Sequence, residues 1–186
     1  HTEIPQQEDG AMEGFQFWLN VPGTDKMAAA KSCDFEPEDL IRFTTSTGVR
    51  VTVIAGESHG VKAAVAREAT APLVLDLQLP AGARFEQALP KDHNAFIFVY
   101  RGSVTIADRE VPAQHMGILA NDPGSDGVVI EAAGDARVLL LAGRPLNEPI
   151  AQYGAFVMNT QKEIYQALSD YRCGRLGQTP QETSDA

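Results

Sequence analysis

This chain of 186 residues has few cysteines, few lysines and arginines, and no long apolar run. Each of these shortages argues against a class of protein. The two cysteines, Cys33 and Cys173, lie too far apart for a CxxC metal motif or a disulfide framework. Fifteen Lys and Arg against 25 Asp and Glu give a net charge of −10, which argues against direct binding of nucleic acid or an anionic membrane. No apolar run approaches the roughly 20 residues that a membrane helix needs. These absences predict an acidic cytoplasmic protein of a reducing compartment.

The residues that are present predict an all-β fold. In "LVLDLQLPAGA", leucines occupy every second position from Leu73 to Leu79, and the run ends at Pro80. Such alternation is typical of a strand with one buried face. Further β-rich runs are separated by turn residues at the spacing expected of a sandwich or barrel. These runs are "FQFWLN", "VRVTVIAGE", "NAFIFVYRGSVTI", "GVVIEAA" and "RVLLLAG".

One helix is predicted near the end of the chain. Thr160 is followed three residues later by Glu163, the spacing of a capping box. An apolar stripe at helical spacing then indicates a helix over about Gln161–Arg172, and Gly174 is suited to end it. The stripe consists of Ile164, Ala167, Leu168 and Tyr171. The polar tail 177–186 is predicted to be disordered.

Several sequence blocks together resemble the pirin family. "PAGARFEQALPKDHNAFIFVYRGSVTI" is similar to the first half of a cupin, and "GFQFWLNVPGTDKM", "VIAGE", "HNAFIFVYRG" and "LLLAGRPLNEPIAQYGAFVMNT" follow one another in pirin order. Pirins are bicupins, with two jelly-roll barrels in one chain. The resemblance implies that most of the N-terminal barrel is missing here. It divides the chain into 1–36 (N-terminal barrel remnant and linker), 37–145 (C-terminal cupin barrel), 146–176 (return segment and C-terminal helix) and the tail.

The resemblance also implies a metal site at the start of the chain. Pirins hold one Fe²⁺ in the N-terminal barrel through three His and one Glu, and "HTE" stands where the family has its last two ligands. His1 and Glu3 are therefore the candidate metal ligands, and Glu3 is also the candidate catalytic base. On a strand, residues two apart point to the same face. Without the resemblance, a lone His-x-Glu is read as a solvated strand end. Two ligands alone are expected to bind iron weakly.

The C-terminal barrel is expected to hold no metal. Counting back from Gly102, the cupin Glu position falls on Ala95, and the His positions fall near Leu89 and Lys91 or near Ala88 and Pro90. None of these side chains is a metal ligand.

Three histidines and the single tryptophan are further candidate site residues. His93, beside the degenerate motif, is interpreted as a hydrogen-bonded structural residue, and His59 and His115 as solvated loop residues. Trp18 is expected to line the barrel interior or an interdomain seam, with packing favoured over substrate contact.

The run "EPIAQYGAFVMNT" is too long and patterned for an ordinary loop. We hypothesise that it returns along the first barrel and, with the helix, fastens the two barrels together. The expected partners are then the missing N-terminal barrel segment or a second copy of the chain.

Three functions remain open at this point. The resemblance implies an iron-dependent dioxygenase of the quercetin 2,3-dioxygenase type in the parent protein, acting on a small flavonol-like aromatic substrate. It equally implies an iron- and redox-responsive regulator that binds a protein partner without turnover. The third is an inactive structural fragment, because this chain carries two of four ligands.

Overall fold

The strands that the alternating runs predict pair into two antiparallel sheets. The computed structural model describes residues 9–30, 32–63, 69–122 and 124–176. The elements are a 3₁₀ turn at Gly23–Asp25, β1 (Ile41–Thr44), β2 (Arg50–Ala55), β3 (Glu57–Ser58), β4 (Val61–Lys62), β5 (Leu73–Leu79), β6 (Arg84–Ala88), β7 (Asn94–Arg101), β8 (Ser103–Ile106), β9 (Arg109–Pro112), β10 (His115–Ile118), β11 (Gly127–Glu131), β12 (Ala136–Gly143), β13 (Ala151–Tyr153), β14 (Phe156–Met158) and α1 (Gln161–Arg172). The tail 177–186 lies outside the described residues.

The two main sheets enclose one apolar core. The larger has the strand order β1-β2-β5-β12-β7-β10, and the smaller has the order β6-β11-β8-β9. Most neighbours in this order are distant in sequence, as in a jelly roll. Strand β5 shows why the core lies between the sheets. Its leucines Leu73, Leu75, Leu77 and Leu79 are buried, while Val74, Asp76 and Gln78 between them are half-buried on the outer face. The predicted all-β barrel is confirmed.

A glycine turn joins the two sheets between β7 and β8. Gly102 has φ +71°, a conformation that L side chains rarely adopt. A Cβ placed here would also collide with the carbonyl oxygen of Asp135. Both observations require glycine at this position.

Helix α1 begins and ends at the predicted residues. The Thr160 side chain accepts a hydrogen bond from the Glu163 N–H, and the Glu163 carboxylate accepts one from the Thr160 N–H at 2.7 Å. Ile164 and Ala167 are buried, as the stripe predicts. Tyr171, the last residue of the stripe, is instead 61% exposed and makes an edge-to-face ring contact with Phe156, at 5.8 Å between centroids. Among the described residues, no helix has the length and hydropathy to cross a bilayer.

The strand predicted for "FQFWLN" does not form. Residues 11–22 belong to no strand, because no other described segment lies alongside to supply a ladder of hydrogen bonds. The segment instead crosses the outer face of the larger sheet. There Phe15 contacts the rings of Phe98 and Tyr100, at 5.9 and 5.2 Å between centroids, and stacks against Phe17. Glu13 accepts a hydrogen bond from Arg101 at 2.7 Å.

Candidate functional site

The predicted metal ligands His1 and Glu3 lie outside the described residues. Their role therefore stays a prediction. Within the ranges 9–30, 32–63, 69–122 and 124–176, no group of three or more His, Cys, Asp or Glu residues is arranged to hold a metal ion.

The cupin ligand positions of the described barrel carry hydrocarbon side chains or point outwards. Ala95 is buried in the core and Leu89 packs against it. Lys91 and Pro90 are exposed, as is Ala88. A metal ion needs donor atoms that none of these side chains offers, so the cupin ligand positions of this barrel do not fit one.

A groove of about 780 Å³ lies between two segments that flank the barrel. One wall is the N-terminal segment Gln16–Val21, and the other comes from the β13–β14 hairpin. The second wall consists of Ile150, Gln152, Ala155 and Val157, with Lys26 at the N-terminal side. The volume lies in the range of small-molecule sites, and the lining is mostly apolar with a few polar groups, which is also typical of them.

A small hydrogen-bond network holds the two walls together. The Glu148 carboxylate accepts hydrogen bonds from the Gly23 N–H and from the Asn159 side chain, both at 2.8 Å. A Cβ at Gly23 would stand 2.8 Å from Asn159 Oδ1, so the close approach of the chains requires glycine. Lys26 Nζ donates to Asn20 Oδ1 at 2.6 Å and braces the first wall. The sequence pattern did not reveal this network, because the two blocks that supply its members, "GFQFWLNVPGTDKM" and "LLLAGRPLNEPIAQYGAFVMNT", are distant in sequence.

Aromatic rings dominate the first wall. Trp18 is 58% exposed and Phe17 46% exposed, and both line the groove. Trp18 therefore does not line the barrel interior, one of its two predicted positions. The reason is that residues 11–22 form no strand that could point it inwards. A flat apolar ligand would find an aromatic surface here to stack against.

His93 and its neighbours lie at the start of β7. The His93 side chain is buried, as expected of a structural residue, but its Nδ1 has no hydrogen-bond partner in the described chain. Its Nε2 stands 3.9 Å from the Asp92 carboxylate. Arg144 donates to that carboxylate at 3.0 Å and lowers the pKa of Asp92.

His59 is exposed in the turn between β3 and β4, as predicted of a solvated loop residue. Its ring also contacts the rings of Phe43 and Phe85, at 5.4 Å from each centroid, which the sequence did not predict. Ser58 Oγ lies 3.0 Å from His59 Nδ1 and donates to Gln87 Oε1 at 2.6 Å. Because the Ser58 hydroxyl donates its hydrogen to Gln87, its oxygen can only accept a hydrogen bond from His59. The Nδ1 of His59 is therefore the protonated ring nitrogen in this contact. His115 is also exposed, as predicted, but it is the first residue of strand β10 and not a loop residue.

A half-buried tyrosine, Tyr100, lies on the outer face of the larger sheet, beside the N-terminal segment. Tyr100 Oη donates to Asp76 at 2.6 Å. Burial, and then this bond to a carboxylate, raise the pKa of Tyr100 well above its usual range. The phenol is therefore a fixed donor that anchors the sheet face on which Phe15 packs.

Comparison with known proteins agrees with this architecture. Residues 74–177 match the family model described as the pirin C-terminal cupin domain. The chain is 47% identical over 95% of its length to the Pseudomonas aeruginosa protein named "Putative quercetin 2,3-dioxygenase", and 36% identical to human pirin. A crystal structure of quercetin 2,3-dioxygenase from Acinetobacter baumannii superposes with a TM-score of 0.79 at 32% identity, over 86% of this chain and 55% of that one.

The chain spans 63% of the length of the Pseudomonas relative and 61% of human pirin. The matched barrel is the C-terminal one, as its topology and the order of the sequence blocks predict. This chain belongs to the pirin family.

Proposed function

We propose that this chain is part of an iron-dependent dioxygenase of the quercetin 2,3-dioxygenase type. The observation that carries the proposal is the 47% identity, along 95% of the chain, to a protein that bears this activity in its name. The solved quercetin 2,3-dioxygenase with 32% identity supports the same substrate class.

In this proposal, His1 and Glu3 are two of the iron ligands. Imidazole nitrogen and carboxylate oxygen are the donors that a non-haem ferrous ion takes in oxygenases. When bound, Fe²⁺ would supply open coordination positions and redox capacity for oxygen chemistry. Glu3 would in addition accept the proton of the flavonol 3-hydroxyl as a general base. Two ligands leave the set incomplete, so this chain alone is expected to hold iron weakly and to be inactive.

The domain division belongs to the same proposal. Residues 37–145 would form the C-terminal barrel, with 1–36 as the remnant of the N-terminal barrel and linker and 146–176 as the return segment and helix. The hydrogen bond from the Gly23 N–H to the Glu148 carboxylate supports a fastening role for the return segment, because it ties that segment to the N-terminal segment.

The groove would bind the aromatic part of the substrate. Trp18 is the only tryptophan of the chain, so its fluorescence reports on this surface alone. We expect quercetin to quench it saturably after correction for absorbed light, and Trp18 should become less accessible to iodide. Quenching that rises linearly without saturation would contradict binding in the groove.

The decisive experiment is oxygen consumption with quercetin after anaerobic loading with Fe²⁺. It is performed on the 186-residue chain and on any longer product of its gene. We expect turnover in the longer product, and its loss in His1→Ala and Glu3→Gln. Iron content is measured in each variant, so that lost metal is distinguished from lost proton transfer.

The control is His115→Ala, since His115 is exposed and remote from the proposed ligands in sequence. It should keep full turnover. An iron-replete longer product that consumes no oxygen with quercetin would overturn the enzymatic proposal and favour a regulatory role.

A further inference from the structure

Three arginines and a glutamine form one row across the larger sheet. Strand register places Arg50 opposite Gln78, Gln78 opposite Arg137, and Arg137 opposite Arg101, on the four adjacent strands β2, β5, β12 and β7. Together with Asp135 they line a cleft of about 270 Å³ at the strand ends. The sequence shows no sign of this row, because its members are 23 or more positions apart and meet only through strand pairing.

The side chains of Arg50, Gln78 and Arg137 point to the outer face of the sheet. Each of them alternates with buried core residues of its strand, such as Leu77 and Leu79 around Gln78. Neighbouring strands lie about 4.8 Å apart, so the two arginines stand roughly 10 Å apart across the glutamine. Long guanidinium side chains at that spacing can converge on one small ligand.

The charges of Arg50 and Arg137 are unpaired. Arg101 donates to Glu13 at 2.7 Å, but neither of the other two arginines has a hydrogen bond or ion pair within the described chain. Arg137 is also half-buried. A partly buried charge is normally paired, whereas Arg137 directly faces another arginine, Arg101, and like charges at such positions destabilise a sheet. An unpaired pair of guanidinium groups in a protein of net charge −10 therefore indicates an anionic ligand.

We propose that Arg50, Gln78 and Arg137 bind a phosphate group, either as free phosphate or as a phosphate monoester. One guanidinium fork saturates the single edge of a planar carboxylate. A tetrahedral phosphate presents several oxygen edges, so two forks approaching from opposite sides can each bind one. The Gln78 amide can donate to an oxygen between them.

Two nearby carboxylates weaken the binding of an anion at this site. Asp135 Oδ1 accepts a hydrogen bond from the Ala81 N–H at 2.9 Å, and Asp76 accepts from Tyr100. Neither carboxylate forms an ion pair with Arg50 or Arg137, but the negative charges of both repel a bound anion. Removal of the Asp135 charge should therefore tighten phosphate binding. Asp135→Asn achieves this while keeping the oxygen that Ala81 needs.

The test is an NMR titration of the ¹⁵N-labelled chain with sodium phosphate, against sodium chloride at matched ionic strength. Phosphate should shift the Gln78 side-chain amide and the Arg137 Nε–Hε signal. Arg50→Gln and Arg137→Gln should each weaken binding by about tenfold, because each loses charged hydrogen bonds. Arg109→Gln, a matched change of an exposed arginine on β9, should bind like the original chain.

Titrations with two further compounds, phenyl phosphate and succinate, identify the ligand. Phenyl phosphate that binds as tightly as phosphate would assign a monoester, and weaker binding would assign the free ion. Succinate binding in place of phosphate would overturn the assignment. Equal shifts with chloride, or equal losses in Arg109→Gln and Arg137→Gln, would also overturn it. The NMR spectra themselves show whether each variant is folded, and the outcome does not depend on iron or on dioxygenase activity.

Discussion

The leucine run of β5 and the aromatic run at Phe15–Asn20 both alternate apolar with polar residues, yet only the first forms a strand. β5 pairs with β2 on one side and β12 on the other, and Leu75 on it is fully buried. Phe15 and Trp18 remain 43% and 58% exposed on an unpaired segment. Alternation therefore does not by itself produce a strand, because the hydrogen bonds of a strand must come from neighbouring segments.

The largest effect should come from a core residue of the paired strand. Leu75→Ala should lower the free energy of unfolding by about 2–5 kcal/mol, since it loses buried area and leaves a cavity. Urea unfolding followed by circular dichroism measures it. Val74→Ala, the next residue on the outer face, is the control and should cost clearly less. Equal losses in the two variants would contradict the assignment of faces.

The turn that joins the sheets should be the next most sensitive. Gly102→Ala should cost about 1–3 kcal/mol, because alanine is strained at positive φ. Its Cβ would also meet the Asp135 carbonyl oxygen. Gly134→Ala is the control, as nothing lies within 4 Å of a Cβ there. If both variants unfold at the same urea concentration, the turn is not strained.

The helix cap should matter less than either barrel position. Thr160→Ala removes the side-chain oxygen that accepts from the Glu163 N–H and should cost about 1 kcal/mol. The midpoint of thermal unfolding reports the change. Ser169→Ala, an exposed position within the same helix, should leave the midpoint unchanged or raise it slightly. A stable Thr160→Ala protein would show that tertiary contacts alone hold the helix.

The unpaired segment should detach without unfolding the barrel. Phe15→Ala removes the ring contacts to Phe98 and Tyr100, so limited proteolysis should cut residues 9–22 faster. The urea midpoint of the barrel should stay nearly unchanged. Met12→Ala, which alters a side chain that is 68% exposed, is the control for proteolysis. A large drop in the midpoint would show that the segment is an integral part of the barrel.

Acid should weaken the end of α1 only slightly. Arg175, and then Gln166, donate to Asp170 and lower its pKa below the ordinary carboxyl value. Because the folded-state pKa is depressed, the stabilisation is present above the ordinary carboxyl pKa, about 4, and is lost as the pH falls through the folded-state pKa. Asp170→Asn should therefore show a smaller loss of thermal stability between pH 7 and pH 3. An identical loss in both proteins would contradict this contribution.

Several features could be predicted from the sequence because local chemistry determines them. The capping box places the start of α1 at Gln161, and the leucine alternation places β5 at its observed bounds. The ring contacts of His59 could not be predicted, because its partners Phe43 and Phe85 come from other parts of the chain. The groove walls were missed for the same reason.

The sequence by itself determined the family, the strand-forming runs, the single helix and the lack of ligand residues at the cupin positions of this barrel. These follow from side-chain type and spacing along the chain. Only the tertiary structure decided which segments acquire strand partners, and it alone aligned Arg50, Gln78 and Arg137 in one row. The physical reason is that strand register joins residues far apart in sequence, so a composition or a local period cannot specify the surfaces that pairing creates.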